Sequence, residues 1–185
     1  IVDIRVKGEV LALSRESRDL CEKYGLEDAY VANVGEGGDA ALASRLNTLG
    51  WELPALGRAW FGPQRIALCV QPHRWLLLDE SRQSDVAARC SEAVAETGAV
   101  VDLSAARSGW RLHGAPARQS LAAGCRLDLA PAAFPIGQAA ATTIAQVHAT
   151  IVAEPESWLL LCSSSVTEHF AGWLHHVTDS ARGNA

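Results

Sequence analysis

The sequence predicts an α+β fold with mainly antiparallel sheets covered by helices, and three observations carry that prediction. Two stretches share one grammar: Ala67-Leu-Cys-Val-Gln-Pro-His-Arg-Trp75-Leu-Leu-Leu and Ile151-Val-Ala-Glu-Pro-Glu-Ser-Trp158-Leu-Leu-Leu. Each reads as an apolar strand, a proline turn and a second apolar strand, and a connection this short permits only antiparallel pairing. Each is followed by apolar residues at helical spacing: Val86, Cys90, Ala93 and Val94 after the first, Val166, Phe170, Trp173, Leu174 and Val177 after the second. Hairpin-plus-helix units used twice point to two pseudo-repeated halves, about 57–98 and 99–177, within one domain over 31–185. Two buried strands can also look alike without a repeat; the shared turn and the helix that follows favour the repeat. Residues 1–30 read as an N-terminal extension.

The elements follow in order. Val2, Ile4 and Val6 alternate with charged residues, as in a half-buried strand. A short helix is expected over Ser17–Tyr24, with Gly25 as its stop, and a strand over Tyr30–Val34. Asp39–Leu49 reads as a helix closed by Gly50. Gly57–Phe61 and Ile66–Val70 are strands separated by the Gly62-Pro63 turn, and Arg74–Leu78 follows Gln71-Pro72-His73. A helix runs from about Asp85 to Thr97, with Gly98 as a left-handed stop. Val100–Leu103 and Trp110–His113 are strands, and Gly114-Ala115-Pro116 opens a short helix ended by Gly124. Ser165-Val-Thr-Glu168 has the form of a capping box at the start of the last helix.

Composition narrows the function. The 185 residues include 49% apolar and 20% charged residues, ordinary values for a folded domain. A net charge of −5 offers no electrostatic footprint for nucleic acid or an anionic membrane. No apolar run reaches the ~18 residues of a membrane span, and Ile1-Val-Asp-Ile-Arg lacks the pattern of a signal peptide. The sequence contains no methionine, so the natural start is expected upstream. Five cysteines, Cys21, Cys69, Cys90, Cys125 and Cys162, stand at wide, irregular spacings among apolar residues. Free buried thiols in a reducing cytoplasm are the expectation.

The candidate sites separate on their chemistry. Gly35-Glu-Gly-Gly-Asp-Ala40 fits G-x-G-x-x-A, but Glu36 and Asp39 would repel the pyrophosphate that such a turn cradles, so a surface loop is expected. His169 and His176 share a helix face two turns apart, about 10 Å at the helical rise, too far for one metal ion. Asp79-Glu80, Asp102 and Asp128 are expected as strand-end caps and turns rather than a carboxylate pair. No nucleophile elbow or phosphate loop is present. The expectation is therefore no catalytic, cofactor-binding or metal-ligating residue in this chain. Of six tryptophans, Trp75, Trp110, Trp158 and Trp173 fall on core faces. Trp51 and Trp60 lie in the turn-rich connection and are the candidates for a subunit interface.

The block Gly109-Trp-Arg-Leu-His-Gly114-Ala-Pro-Ala117-Arg118-Gln-Ser-Leu121-Ala-Ala-Gly124-Cys125-Arg-Leu127-Asp128-Leu129 resembles the sarcosine oxidase gamma subunit family. So does Ala133-Phe134-Pro135-Ile-Gly137-Gln through Thr142-Thr-Ile-Ala145-Gln146-Val-His148, flanked by Phe61-Gly62-Pro63, Pro72-His-Arg-Trp75 and Phe170-Ala-Gly-Trp173-Leu174. The likeness covers about residues 40–177. It implies a shortened aminomethyltransferase (T-protein)-like fold. It also implies a non-catalytic subunit that contacts an alpha-type large subunit, with beta and delta subunits in the same complex. FAD, FMN, NAD and tetrahydrofolate are implied in those partners, and none in this chain. The implied reaction of the complex is oxidative demethylation of sarcosine, or of another N-methyl amino acid such as N-methylglutamate, with the one-carbon unit passed to tetrahydrofolate. A freestanding folate-binding aminomethyltransferase is the alternative, although it would need roughly twice this length. An iron–sulfur maintenance protein would carry Lys-Gly-Cys-Tyr-x-Gly-Gln, and neither Lys7 nor Lys23 precedes Gly-Cys.

Overall fold

A computed structural model describes residues 2–6, 9–10, 32–33, 38–81, 85–94 and 97–183. The strands are β1 (Val2–Val6), β2 (Glu9–Val10), β3 (Ala32–Asn33), β4 (Arg58–Gly62), β5 (Arg65–Gln71), β6 (Arg74–Asp79), β7 (Gly98–Asp102), β8 (Arg107–His113), β9 (Ala139–Ile144), β10 (Val147–Ala153) and β11 (Ser157–Ser163). The helices are α1 (Gly38–Asn47), α2 (Val86–Val94), α3 (Ala117–Ala122) and α4 (Thr167–Gly183). Every strand pair is antiparallel, so the α+β expectation holds. The helix expected over Ser17–Tyr24 lies outside the described residues, as does the cysteine at position 21.

The sheet orders β4-β5-β6-β1-β7 and β9-β10-β11-β8 reveal the repeat. Each half runs strand, helix, three-strand meander, helix: β1, α1, β4, β5, β6, α2, then β8, α3, β9, β10, β11, α4. In each, the first strand pairs with the last strand of the meander. This corrects the expected boundaries. The first half begins at β1 rather than at residue 57, and the division at residue 30 does not hold for Val2–Val6, which lies between β6 and β7. The physical reason is that a meander alone would leave the backbone of β6, its most apolar strand, with one edge unpaired.

The sheets pack face to face with helices outside. Ile66, Leu68, Leu76 and Leu78 of the first sheet meet Ala139, Val152, Leu159 and Leu161 of the second in a central core. The intervening residues point outward. Ala67, Cys69, Trp75 and Leu77 pack against Leu42 and Leu46 of α1 and Val86, Cys90 and Val94 of α2. Ala149, Ile151, Trp158, Leu160 and Cys162 pack against Leu121 of α3 and Phe170 and Leu174 of α4. Burial on both faces explains why β6 and β11 read as unbroken apolar runs rather than alternating ones. Each fully buried leucine or isoleucine contributes on the order of 1.5–3 kcal/mol.

A pseudo-two-fold seam joins the sheets where β4 meets β9. Arg58 and Gln138 form an antiparallel bridge. The Ala59 N–H donates to the Gly137 carbonyl at 2.8 Å, and the Ala139 N–H donates to the Gly57 carbonyl at 2.9 Å. Gly57 and Gly137 both adopt positive φ, 78° and 81°, a backbone state that other residues enter only with strain. Three hairpin turns use non-glycine residues at positive φ instead: Gln64 and His73, each following a proline, and the pair Ala145-Gln146.

Three further details differ from expectation. Ala139–Ile144, a strand made of alanine, threonine and isoleucine, was not anticipated. Gly98 opens β7 rather than stopping a helix. The cap before α4 is Ser163, whose hydroxyl accepts from the Ser165 N–H at 3.4 Å, and a 3-10 turn over Ser164–Val166 precedes the helix.

Candidate functional site

Trp51 is only 1% exposed and packs in the core beneath α1. Its ring faces the Arg65 guanidinium at 4.9 Å, and Arg65 also donates to Asp79 at 2.9 Å and to the Leu49 carbonyl at 2.8 Å. The interface expectation for Trp51 is therefore corrected, because this chain already covers the ring. Trp60, on β4, is half-buried, and its indole lies over Gly62 so closely that a Cβ there would overlap the ring. It keeps exposed area that a partner can cover.

Of the acidic residues singled out in the sequence, Asp79, Asp102 and Asp128 serve nearby groups and Glu80 pairs with Arg111 across the sheets; the structure does not bring them together as a site. Asp102 accepts from the backbone and hydroxyl of Ser104, which lower its carboxyl below the usual range. Asp128 accepts from the Ala130 N–H. Burial pushes the Asp79 carboxyl up, but hydrogen bonds from Ser81 and Arg65 outweigh it and hold the group below its usual range. Asp39, at the start of α1, pairs with His73 at 2.8 Å. His169, His175 and His176 are exposed on α4, and the described residues contain no group of three or more potential metal ligands.

The cysteines are placed as inert packing groups. Cys69, Cys90 and Cys162 are buried and Cys125 is partly so, and these four are free thiols. Burial pushes the Cys90 thiol up to about 11 and raises Cys69 and Cys162 as well. Thiols so raised carry almost no thiolate at neutral pH and make poor nucleophiles.

Sequence reasoning missed the surface features that stand out here. Leu56 and Ile136 are 58% and 62% exposed, among the largest apolar exposures of the described residues. They immediately precede Gly57 and Gly137, so the seam places them as a pseudo-symmetric pair beside the joint between the sheets. The signal available was the parallel between Leu56-Gly57-Arg58 and Ile136-Gly137-Gln138. Next to Ile136 opens a cavity of about 740 Å³ lined by Phe134, Pro135 and Trp158, with Arg118 and Glu154 at its rim. Glu154 is not available there as a reactive carboxylate. It accepts from Arg111 at 2.9 Å and from the Ser157 hydroxyl, and Arg111 also reaches Glu80 on the other sheet. The hydrogen bonds that Arg111 donates to Glu154, opposed by burial and reinforced by Glu80, raise its guanidinium further above its usual range. Arg111 is thus a clamp between sheets.

The chain is similar to known proteins along most of its length. The profile of the family described as sarcosine oxidase, gamma subunit family matches residues 34–181. The sarcosine oxidase subunit gamma of Corynebacterium sp. (strain P-1) is 33% identical over 150 residues, covering 76% of this chain and 69% of that protein. The subunit of the same name from Arthrobacter sp. is 35% identical over 153 residues, covering 76% and 69%. Among solved structures, a chain of the heterotetrameric sarcosine oxidase from Corynebacterium sp. U-96, in complex with pyrrole 2-carboxylate, superposes with a TM-score of 0.72 at 26% identity. That match covers 97% of this chain and 80% of the other. Matched along most of its length by the family profile and by relatives one-third identical, the chain belongs to the sarcosine oxidase gamma subunit family.

Proposed function

We propose that this chain is a non-catalytic assembly subunit of a heteromeric, sarcosine oxidase-type flavoenzyme. The observation that carries the reading is the structural likeness over 97% of the chain to a component of a heterotetrameric sarcosine oxidase. In this reading the chain is a shortened aminomethyltransferase-like fold that contacts an alpha-type subunit, with beta and delta subunits completing the complex. FAD, FMN, NAD and tetrahydrofolate reside in those partners, and the complex oxidatively demethylates sarcosine or another N-methyl amino acid. The setting is the cytoplasm, in keeping with the absence, among the described residues, of a helix long and apolar enough to cross a membrane. The exposed Leu56 and Ile136 supply apolar anchors of the kind that interface cores use, and Trp60 can add a partly covered aromatic rim.

The test is co-expression with the genomic neighbours, followed by size-exclusion chromatography with subunit stoichiometry and an absorbance spectrum. The reading predicts one stoichiometric complex with flavin in the larger subunits. A flavin spectrum in this chain purified alone, or its elution as a freestanding folate-dependent transferase, would overturn it.

A further inference from the structure

The repeat leaves one strand position unmatched. In the first half the strand that follows α2, β7, pairs along the outer edge of β1. β8 is the counterpart of β1, since each pairs with the last strand of its meander. Among the described residues no strand pairs along the other edge of β8, which ends its sheet. The register shows which backbone groups that edge presents. The Ser164 N–H donates to the Ala106 carbonyl at 3.0 Å, one step beyond the Ser163–Arg107 pair. Hydrogen-bonded pairs alternate along an antiparallel ladder. Ser108, Trp110 and Leu112 therefore bond to β11, while Arg107, Gly109, Arg111 and His113 direct their N–H and carbonyl groups away from it.

Further observations fall on the same place. Val100 packs on the helix side of the first sheet, against the core of α1 and α2. Successive strand residues alternate faces, so Val101 points to the side between the sheets, where Leu103 packs. Val101 is nevertheless 46% exposed. A fifth strand beside β8 would lie opposite it. β8 also lacks the devices that protect sheet edges: its seven residues run in unbroken register, with no proline, lysine or bulge. Gly109 is exposed and leaves room for an incoming side chain, and Arg111 is held by Glu154 and Glu80. Arg107 has no carboxylate partner among the described residues.

We propose that a partner subunit adds an extended segment to this edge, antiparallel to β8, as the fifth strand of the second sheet. The inference rests on the assembly reading above and specifies one of its contacts, on the opposite side of the sandwich from the seam that carries Leu56 and Ile136. Main-chain hydrogen bonds to the outward groups of β8 hold the segment, and alternate side chains select it. β7, five residues long, is the template for its length. Its inward side is apolar opposite Gly109, where it covers Val101, and acidic opposite Arg107.

The experiment is hydrogen exchange at single-amide resolution on the full chain, alone and in the co-expressed complex. The amides of Gly109, Arg111 and His113 should exchange freely in the chain alone and slow at least about ten-fold on assembly, whereas those of Ser108, Trp110 and Leu112 should be protected in both. Gly109→Pro removes one outward N–H, spares the ladder to β11, and should weaken capture of the partner about ten-fold in a pull-down titration. Gly109→Ala keeps that N–H, and its Cβ meets the flexible end of Leu161 at 3.1 Å; capture should stay within about two-fold of wild type. A complex that forms with no slowing at β8 overturns this inference and leaves the assembly reading standing. Failure to form any complex overturns both. Slow exchange of Gly109 and Arg111 in the monomeric chain, or in a dimer of it, would show that this chain or a second copy covers the edge, and equally overturns the inference.

Discussion

The two halves of the chain use one strand plan and two ways of fixing helices to it. In the first half, α1 and α2 are pinned around a charged device: Arg65 stacks on Trp51, holds Asp79 and donates to the Leu49 carbonyl. In the second half the corresponding layer is aromatic. Phe170 of α4 meets Trp110 edge-on, with centroids 5.1 Å apart and planes at 69°, and stacks with Trp173 at 5.9 Å. The sheets tolerate both solutions because β5, β6, β10 and β11 bury apolar residues on both faces, whatever covers the outer one. The difference teaches that the repeat resides in the strands, while the helices are free to diverge.

If the comparison is right, the two halves should fail differently. Phe170→Ala removes a fully buried ring from between two tryptophans and should cost about 3–5 kcal/mol in denaturant unfolding. Cys90→Ala, on the buried face of α2, should cost only about 1 kcal/mol. Equal losses would mean that the halves are not distinct in this way.

The next largest effect is expected at the charged device. Arg65→Met keeps an apolar stem against Trp51 but removes the only ion-pair partner that Asp79, whose side chain is 6% exposed, has among the described residues, and leaves it the Ser81 hydrogen bonds alone; about 2–3 kcal/mol should be lost. Because the folded-state carboxyl of Asp79 titrates below its usual range, its stabilisation is complete above the unfolded pKa and drains away as pH falls through the folded one. The wild-type acid unfolding limb should therefore be steeper than that of Asp79→Asn, measured by thermal melts below pH 5. Parallel limbs would remove Asp79 from the account. Phe170→Ala should leave the acid limb unchanged in slope, since no described residue packed against Phe170 is a carboxylate comparable to Asp79.

A smaller effect of opposite sign is expected at the β9–β10 turn. Ala145 and Gln146 both adopt positive φ, 49° and 65°, between the paired residues Ile144 and Val147. A two-residue turn of this geometry favours glycine, so Gln146→Gly should stabilise the chain by about 0.5–1 kcal/mol. The smallest effect on stability should come from Leu56→Asp and Ile136→Asp, both more than half exposed and expected within about 0.5 kcal/mol of wild type. Their effect should appear instead as loss of co-purifying subunits. A folded double variant that still assembles fully would move the contact surface elsewhere.

Legibility in the sequence followed the same division. β5, β6, β10 and β11 were readable because proline turns bracket unbroken apolar runs, and α2 and α4 because their buried faces repeat at helical spacing. β9 was not, since alanine and threonine carry no hydrophobic period. The true start of the first half was hidden because Val2–Val6 joins its sheet across a long sequence interval, and register between distant strands leaves no local mark. Trp51 was misplaced for a related reason: its partners, Leu42, Leu46 and Arg65, converge only after α1 folds back on β5. Gly57 and Gly137 carried no turn signal of their own, and only the seam between β4 and β9 reveals that the segments they begin face one another.

The central claim, that the chain acts by assembly, is tested most directly by expressing the partner subunits with and without it. Both the yield of folded flavoprotein and the turnover per bound flavin would be measured. Covering a permanent interface of obligate size, roughly 2,000 Å² or more, stabilises the partner by mass action. Omission should therefore lower the yield and melting temperature of the large subunit, while the flavoprotein that survives keeps near-normal turnover per flavin. Full yield with abolished turnover would contradict the account, because the chain would then be completing an active site.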